Sequence, residues 1–272
     1  MEFSWPIAIT VFLLGTAVGS FLNVLVYRML RNEDWIRGRS YCETCHKQIS
    51  WYENIPILSY LWLKGRCSRC QTLINPIHPT LELLTGALFL WWYVEGWQVF
   101  MAKAWLLPIL QPLFWLVIGL VSITIIIADF REMIIPRCSV SLLIILTLLY
   151  RLVLILTGEM QAVDLWWSLL WSLILVLVFF FLWWVTKGKS FGFGDVQLAL
   201  PLGLLLGSWQ RIVIGIWLAF LIGAVVGLSL VFSKKKGFRQ SIPFGPFLIL
   251  GTALSLRWGW QLWEAYLKLI GS

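Results

Sequence analysis

Apolar runs of about twenty residues recur along the whole chain, with basic residues gathered between them, and this pattern leaves the sequence few folds to choose from. A helix needs ~20 residues to cross the hydrocarbon of a bilayer. Eight runs approach that length, roughly 5–27, 80–100, 105–128, 139–157, 165–186, 195–209, 211–232 and 243–267. The sixth is the shortest, and the stretch 195–232 also reads as a re-entrant segment followed by one helix. Composition agrees. Hydrophobic residues make up 60% of the chain and charged residues 12%, about half the charged share of a soluble domain. That is more apolar surface than the interior of a water-soluble protein can hide. The first run lacks a basic leader and a small-residue cleavage site before Arg28, so it reads as a retained transmembrane helix and not as a signal peptide. The nineteen tryptophans are expected at the membrane–water interface or in packing. The fold class expected is an all-α polytopic membrane protein with about eight transmembrane helices.

The net charge is +8, but the cations are placed for orientation in a membrane and not for nucleic acid. Eight lie in segment 28–79 (Arg28, Arg31, Arg37, Arg39, Lys47, Lys64, Arg66, Arg69). Arg131 and Arg137 lie in the loop 129–138, Lys187 and Lys189 in 187–194, and Lys234, Lys235, Lys236 and Arg239 in 233–242. An eight-helix threading puts these sixteen on one side and the other five, Lys103, Arg151, Arg211, Arg257 and Lys268, on or near the opposite side. Basic loops stay in the cytosol, so both termini are expected to face outward. The run Lys234–Lys236 reads as a topology anchor.

One segment does not belong in lipid. Residues 30–79 are rich in polar and turn-forming residues and divide the chain into a first helix (1–29), a small cytosolic insert (30–79) and a transmembrane core (80–272). The insert holds two C-x-x-C pairs, Cys42 with Cys45 and Cys67 with Cys70, separated by twenty-one residues. Each pair can present two thiolates to one tetrahedral ion, and two such knuckles close a zinc-ribbon-like site. A module of about fifty residues is near the size at which a core alone is marginal. Disulfides are the competing reading, which a reducing cytosol disfavours. Four sulfurs would saturate the ion and make it structural. His46 beside Cys45 then reads as solvated or as a partner to a ligand, His78 as a cap or headgroup contact, and Cys138 as a lone packing thiol. No internal repeat stands out.

Ionisable residues at the edges of apolar runs are costly, and so are functional candidates. Glu159 and Asp164 fall in an outer loop and read as solvated; Glu82 opens the second span, where a carboxylate suits a helix N-terminus. Asp129 ends one apolar run, with Arg131 near enough for a salt bridge, and Asp195 follows Gly192-Phe193-Gly194 and opens another, where it would serve as an N-cap. Those bland readings stand beside a chemical one. The threading puts both carboxylates at the same membrane face and at comparable depth. Two close carboxylates share a proton, so that one acts as a base toward water and the other as an acid toward a carbonyl. No Ser/His/Asp or Cys/His set competes with them.

Several motifs in one order resemble those of the bacterial type IV prepilin peptidases, the leader peptidases and N-methyltransferases of peptidase family A24 found in type IV pilus and type II secretion systems. The resemblance runs over nearly the whole chain. It rests on Gly19-Ser20-Phe21-Leu22-Asn23-Val24 with Tyr27-Arg28, Arg39-Ser40, both cysteine pairs, Ile49-Ser50-Trp51-Tyr52-Glu53-Asn54-Ile55-Pro56 and Gly65-Arg66-Cys67. It continues in Glu82-Leu83-Leu84-Thr85-Gly86, Asp129 with Ile135-Pro136, Gly192-Phe193-Gly194-Asp195, and Ile242-Pro243-Phe244-Gly245-Pro246-Phe247. The resemblance implies that Asp129 and Asp195 are the catalytic aspartates. It implies substrates that are prepilins or pseudopilins with a short basic leader, cut after a glycine on the cytosolic side of the bacterial inner membrane. It also implies N-methylation of the new terminus with S-adenosylmethionine. Three positions depart from the family pattern: Gln197 stands where lysine is usual, Glu43 replaces a proline between the first cysteines, and Arg137 follows Pro136. The methyltransferase half has no glycine-rich cofactor loop and no room for a Rossmann domain. Its site must come from the insert and loops, with Glu53 and Asn54 as candidates, and Asn54-Ile55-Pro56 reads equally well as a turn.

Two other readings stay open at this level. One is a different intramembrane protease with a G-x-G-D aspartate, which would not be expected to carry the cysteine insert. The other is a non-enzymatic transporter or assembly scaffold, which would need charges lining a path through the bundle. None of these signals encodes an oligomeric state.

Overall fold

The structure is a computed structural model that describes residues 4–31, 34, 38, 40–96, 107–189, 192–232 and 242–271. Arg37, Arg39, Lys103, the proposed anchor Lys234–Lys236 and Arg239 lie outside the described residues. Among the described residues the architecture is helical, with no strand. The helices are α1 (Trp5–Leu30), α2 (Leu58–Trp62), α3 (Ile77–Trp91), α4 (Leu107–Glu132), α5 (Arg137–Leu156), α6 (Ala162–Thr186), α7 (Phe193–Leu206), α8 (Trp209–Phe232) and α9 (Gly245–Leu269).

Among the described residues, five helices are long and apolar enough to cross a membrane: α1, the stretch Ile109–Glu132 of α4, α5, α6 and α8. Three expected spans depart from that standard, each for a visible reason. Helix α3 is 15 residues long and continues into one π-helical turn, Trp92–Gly96. Helix α7 has 14 residues, ~21 Å at ~1.5 Å per residue, against a hydrocarbon core of ~30 Å. Helix α9 has 25 residues but carries Arg257, Glu264 and Lys268 along its second half.

The chain divides into two compact units, Met1–Ala128 and Asp129–Ser272. In the first, α1 packs on α3 through small residues. A Cβ on Gly15 would lie 2.8 Å from the Phe89 Cβ, and one on Gly86 would lie 2.7 Å from the Phe12 ring. Gly19 meets Thr85 so closely that any side chain there would overlap its hydroxyl. A Gly-x-x-x-Gly face is how membrane helices bring their backbones together. Val26, Leu81, Ile127 and Ala128 form a buried cluster in this unit.

The insert is built from two copies of one turn. Cys42 and Cys67 each donate their amide to the carbonyl five residues on, Lys47 and Thr72. His46 and Gln71, each four residues after its cysteine, donate back to that cysteine's carbonyl and adopt left-handed φ of 55° and 60°. Isolated bridges, Tyr41 with Gln48 and Arg66 with Leu73, close the two turns. The sequence reading missed this repeat, because only the cysteines and Ile49/Ile74 survive in it as identical letters.

In the second unit α7 is almost wholly buried against α5, α6 and α9. A Cβ on Gly203 would lie 2.8 Å from the Ser172 Cα, which brings α7 close to α6. The C-terminal end of α7 is capped. Gly207 turns it with φ 74°, Arg151 Nε donates to the Leu204 carbonyl at 2.9 Å, and Ser168 donates to the Gly207 carbonyl at 3.2 Å. A cation at a helix C-terminus satisfies orphan carbonyls and opposes the helix dipole.

Candidate active site

Asp129 sits in the last turn of α4. Met133 follows with φ 53° and donates its amide to the Asp129 carbonyl, which ends the helix. The chain then runs extended through Ile135 and Pro136 into α5. Asp195 is the third residue of α7, not its N-cap as the sequence suggested. Its Oδ2 reaches back to accept the Gly192 amide at 3.1 Å. Oδ2 of Asp129 accepts the Gly245 amide at 3.0 Å. The group that holds Asp129 is therefore the start of α9 and not the nearby Arg131. Both carboxylates are buried, with 5% and 6% of their surface exposed.

The structure brings the two aspartates into one site. Ile135 lies between the segments that carry and clamp them. A Cβ on Gly194 would sit 3.0 Å from the Ile135 Cβ, and one on Gly245 would sit 3.2 Å from its Cδ1 and 2.6 Å from Asp129 Oδ2. Glycine at 245 is thus what lets an amide donate to Asp129 from so near. In each carboxylate one oxygen is held by a backbone amide, which leaves Oδ1 for exchange with a substrate or water. Gln197 is half-buried one turn into α7. Sequence reasoning noticed Gly245 and Ile135 only as motif letters and assigned them no part in the site.

The four cysteines of the insert also converge. Their sulfurs lie within 4.8 Å of one another, and Cys42 Sγ and Cys70 Sγ are 3.8 Å apart. A tetrahedral ion with metal–sulfur bonds of ~2.3 Å requires sulfurs ~3.8 Å apart, so this donor set fits such an ion. The hydroxyl of Thr72, 2.7 Å from Cys70 Sγ, holds that thiol down to about 6 and favours the thiolate a metal needs. His46 spends its left-handed backbone on the turn and stands beside Tyr41, with ring centroids 6.0 Å apart.

Three polar residues moved from their expected places. Glu82 is not in the first turn of its helix, because α3 starts at Ile77; it is 9% exposed and accepts the Ile57 amide at 2.7 Å. His78 contacts Asn23 through Nδ1 and faces Glu43 at 3.9 Å through Nε2, so it joins α1 to the insert and does not cap toward solvent. Cys138 is exposed in the first turn of α5, not packed. Asp164 remains exposed as expected but belongs to α6, whose first turn it caps at Gln161.

Comparison with known proteins points one way. Residues 13–95 match the bacterial peptidase A24 N-terminal domain, and residues 116–228 match the type IV leader peptidase family. A prepilin leader peptidase/N-methyltransferase of Aeromonas salmonicida is 32% identical over 98% of this chain and 96% of its own length. One from Pseudomonas aeruginosa is 32% identical over 95% of this chain and 93% of its own. One from Legionella pneumophila is 27% identical over 95% and 94%. No solved structure matches the chain.

Proposed function

The chain belongs to the type IV leader peptidase family, and from that premise we propose that it removes the leader peptide of type IV prepilins or pseudopilins and N-methylates the residue the cut exposes. It is a multi-pass membrane enzyme of the bacterial inner membrane. The observation that carries the peptidase reading is the pair of buried carboxylates, one at the end of α4 and one at the start of α7, each clamped by a glycine amide. The two share one proton. The ionised carboxylate takes a proton from water as its oxygen attacks the scissile carbonyl, and the protonated one gives its proton to the carbonyl oxygen. Collapse of the tetrahedral intermediate breaks the C–N bond and passes a proton to the leaving amine.

The positive-inside count favours eight spans, with α3, α7 and α9 completing the five long apolar helices. It also favours a cytosolic face for the aspartates and the insert. Residues 1–29, 30–79 and 80–272 then act as anchor, insert and peptidase core. Zinc is the ion best matched to four thiolates at this spacing, and its role is structural.

The test is cleavage of a prepilin in membranes by Asp129→Asn and Asp195→Asn variants. General acid–base catalysis contributes about 10²–10⁴ in rate, so each variant is expected to lose at least a hundredfold. Cleavage at the wild-type rate by either one refutes the pairing. Elemental analysis of the purified chain is expected to give one zinc per molecule.

A further inference from the structure

Between Asp129 and helix α5 the chain carries three apolar residues in a row, Met133, Ile134 and Ile135, followed by Pro136. They do not share one environment. Met133 and Ile134 are each 53% exposed, whereas Ile135 is partly buried and turned into the site. Its backbone and its side chain are both stiff. A residue before proline is confined to extended conformations, and a β-branched side chain has few rotamers open to it. That side chain reaches two glycines, each beside one of the aspartates' own supports. On one side its Cβ, Cγ1 and Cδ1 lie 3.0, 3.1 and 3.1 Å from where a Cβ on Gly194 would be, one residue before Asp195. On the other its Cδ1 lies 3.2 Å from where a Cβ on Gly245 would be, and the Gly245 amide is the one that holds Asp129 Oδ2. Carbon atoms in contact rest about 3.5–4.0 Å apart, so neither position has room for a side chain while Ile135 is there. Asp129, Ile135, Gly194, Asp195 and Gly245 all belong to one compact unit.

We propose that Ile135 is a positioning residue of the peptidase: its branched side chain, held between Gly194 and Gly245, is the spacer that sets how far Asp195 at the start of α7 stands from Asp129 at the start of α9. The proposal rests on the reading of the two aspartates as the catalytic pair. Ile135 has no group that can move a proton, so it acts through distance alone. Sharing one proton, and placing one water between a base and a carbonyl, both depend on the separation of the carboxylates, and a misplacement of ~1 Å costs ~10²-fold in rate. Each aspartate takes its amide bond from one side of the spacer, Asp195 from Gly192 and Asp129 from Gly245. Truncating Ile135 therefore leaves each carboxylate with its own amide but without a fixed distance from the other. A stiff residue suits this task, because a flexible one would yield to the pressure of the two helix starts. The loss then falls on the chemical step and not on the capture of substrate.

The experiment is steady-state cleavage of a prepilin by the full-length protein in detergent micelles, with Ile135→Val, Ile135→Ala and the exposed neighbour Ile134→Ala beside the wild type. We expect kcat to fall at least threefold in Ile135→Val, which removes only the Cδ1 methyl, and at least tenfold in Ile135→Ala. KM is expected to stay within twofold in both, and Ile134→Ala to keep the wild-type kcat. A loss confined to kcat marks an interaction that matters in the transition state and not in binding. In an Asp195→Asn background, Ile135→Ala is expected to change the residual cleavage less than twofold, because residues that act as one unit are not additive. Ile→Val is a mild change even in a core, so the Val variant keeps the test decisive where the Ala variant folds poorly. Wild-type kcat in Ile135→Val, an equal loss in Ile134→Ala, or a further tenfold loss on the Asp195→Asn background overturns the proposal. Failure of the underlying reading looks different, since Asp195→Asn would then itself cleave at the wild-type rate.

Discussion

Asp129 and Asp195 were legible as single residues, because a carboxylate at the edge of an apolar run has a cost that only function or a specific partner offsets. Their clamps were not legible in the same way. The amide that holds Asp129 comes from Gly245, 116 residues further on, and sequence periodicity carries no information about a contact at that separation. The local alternatives, a salt bridge to Arg131 and an N-cap at Asp195, were the nearest explanations in the chain and not the ones the fold uses. Gly245→Ala tests the clamp. Its Cβ would sit 2.6 Å from Asp129 Oδ2, too close to keep both the amide bond and the carboxylate in place. We expect cleavage to fall at least tenfold, while the circular dichroism spectrum in micelles stays wild type. A variant with wild-type cleavage would mean that the Gly245 amide does not position Asp129.

At the scale of elements, the long apolar helices were readable from length and hydropathy alone, whereas α7 was the least certain run and turned out to be the shortest and most buried. Its stability rests on its ends. Asp195 closes the first turn onto Gly192, and Arg151 satisfies the carbonyl of Leu204 at the last. Hydrogen bonds from a charged group contribute roughly 1.5–3 kcal/mol. Arg151→Met, which keeps the stem and removes the donors, is therefore expected to destabilise the fold by about 2 kcal/mol, read as a lower melting temperature in micelles. Arg257→Met, on the exposed side of α9, serves as the comparison with little expected change. The insert offers a pH-dependent counterpart. Hydrogen bonds from Ser68 and from the Ser50 amide hold Glu53 below the ordinary glutamate range. A carboxylate depressed in the folded state stabilises above its unfolded pKa and loses that contribution as pH falls through the folded value. Glu53→Gln should thus weaken protection of the insert's amides from hydrogen exchange at neutral pH and make no difference in acid.

At the scale of the whole molecule, the sequence separated a polar insert from an apolar core, but it did not reveal that the cysteine turns repeat. The repeat is written in backbone geometry, in paired amide bonds and left-handed residues at matching offsets, and side-chain identity is nearly free there except at the converging sulfurs. If methyl transfer takes place at the insert, the two activities occupy different units. Both clamped aspartates belong to the second compact unit, whereas the thiolate site belongs to the first. A structural metal at the cysteines would hold the shape of the insert, since binding energy at such a site is folding energy for the module around it. Removing it, by chelation or by Cys42→Ser, should collapse the insert before it disturbs the carboxylate pair. Mass spectrometry of a pilin processed by the depleted enzyme reads both outcomes on one product. We expect the ratio of methylated to cleaved pilin to fall at least tenfold relative to the metal-loaded enzyme. Cleavage and methylation falling in parallel would instead make the insert a support for the entire fold and remove the ground for treating the two activities as separable.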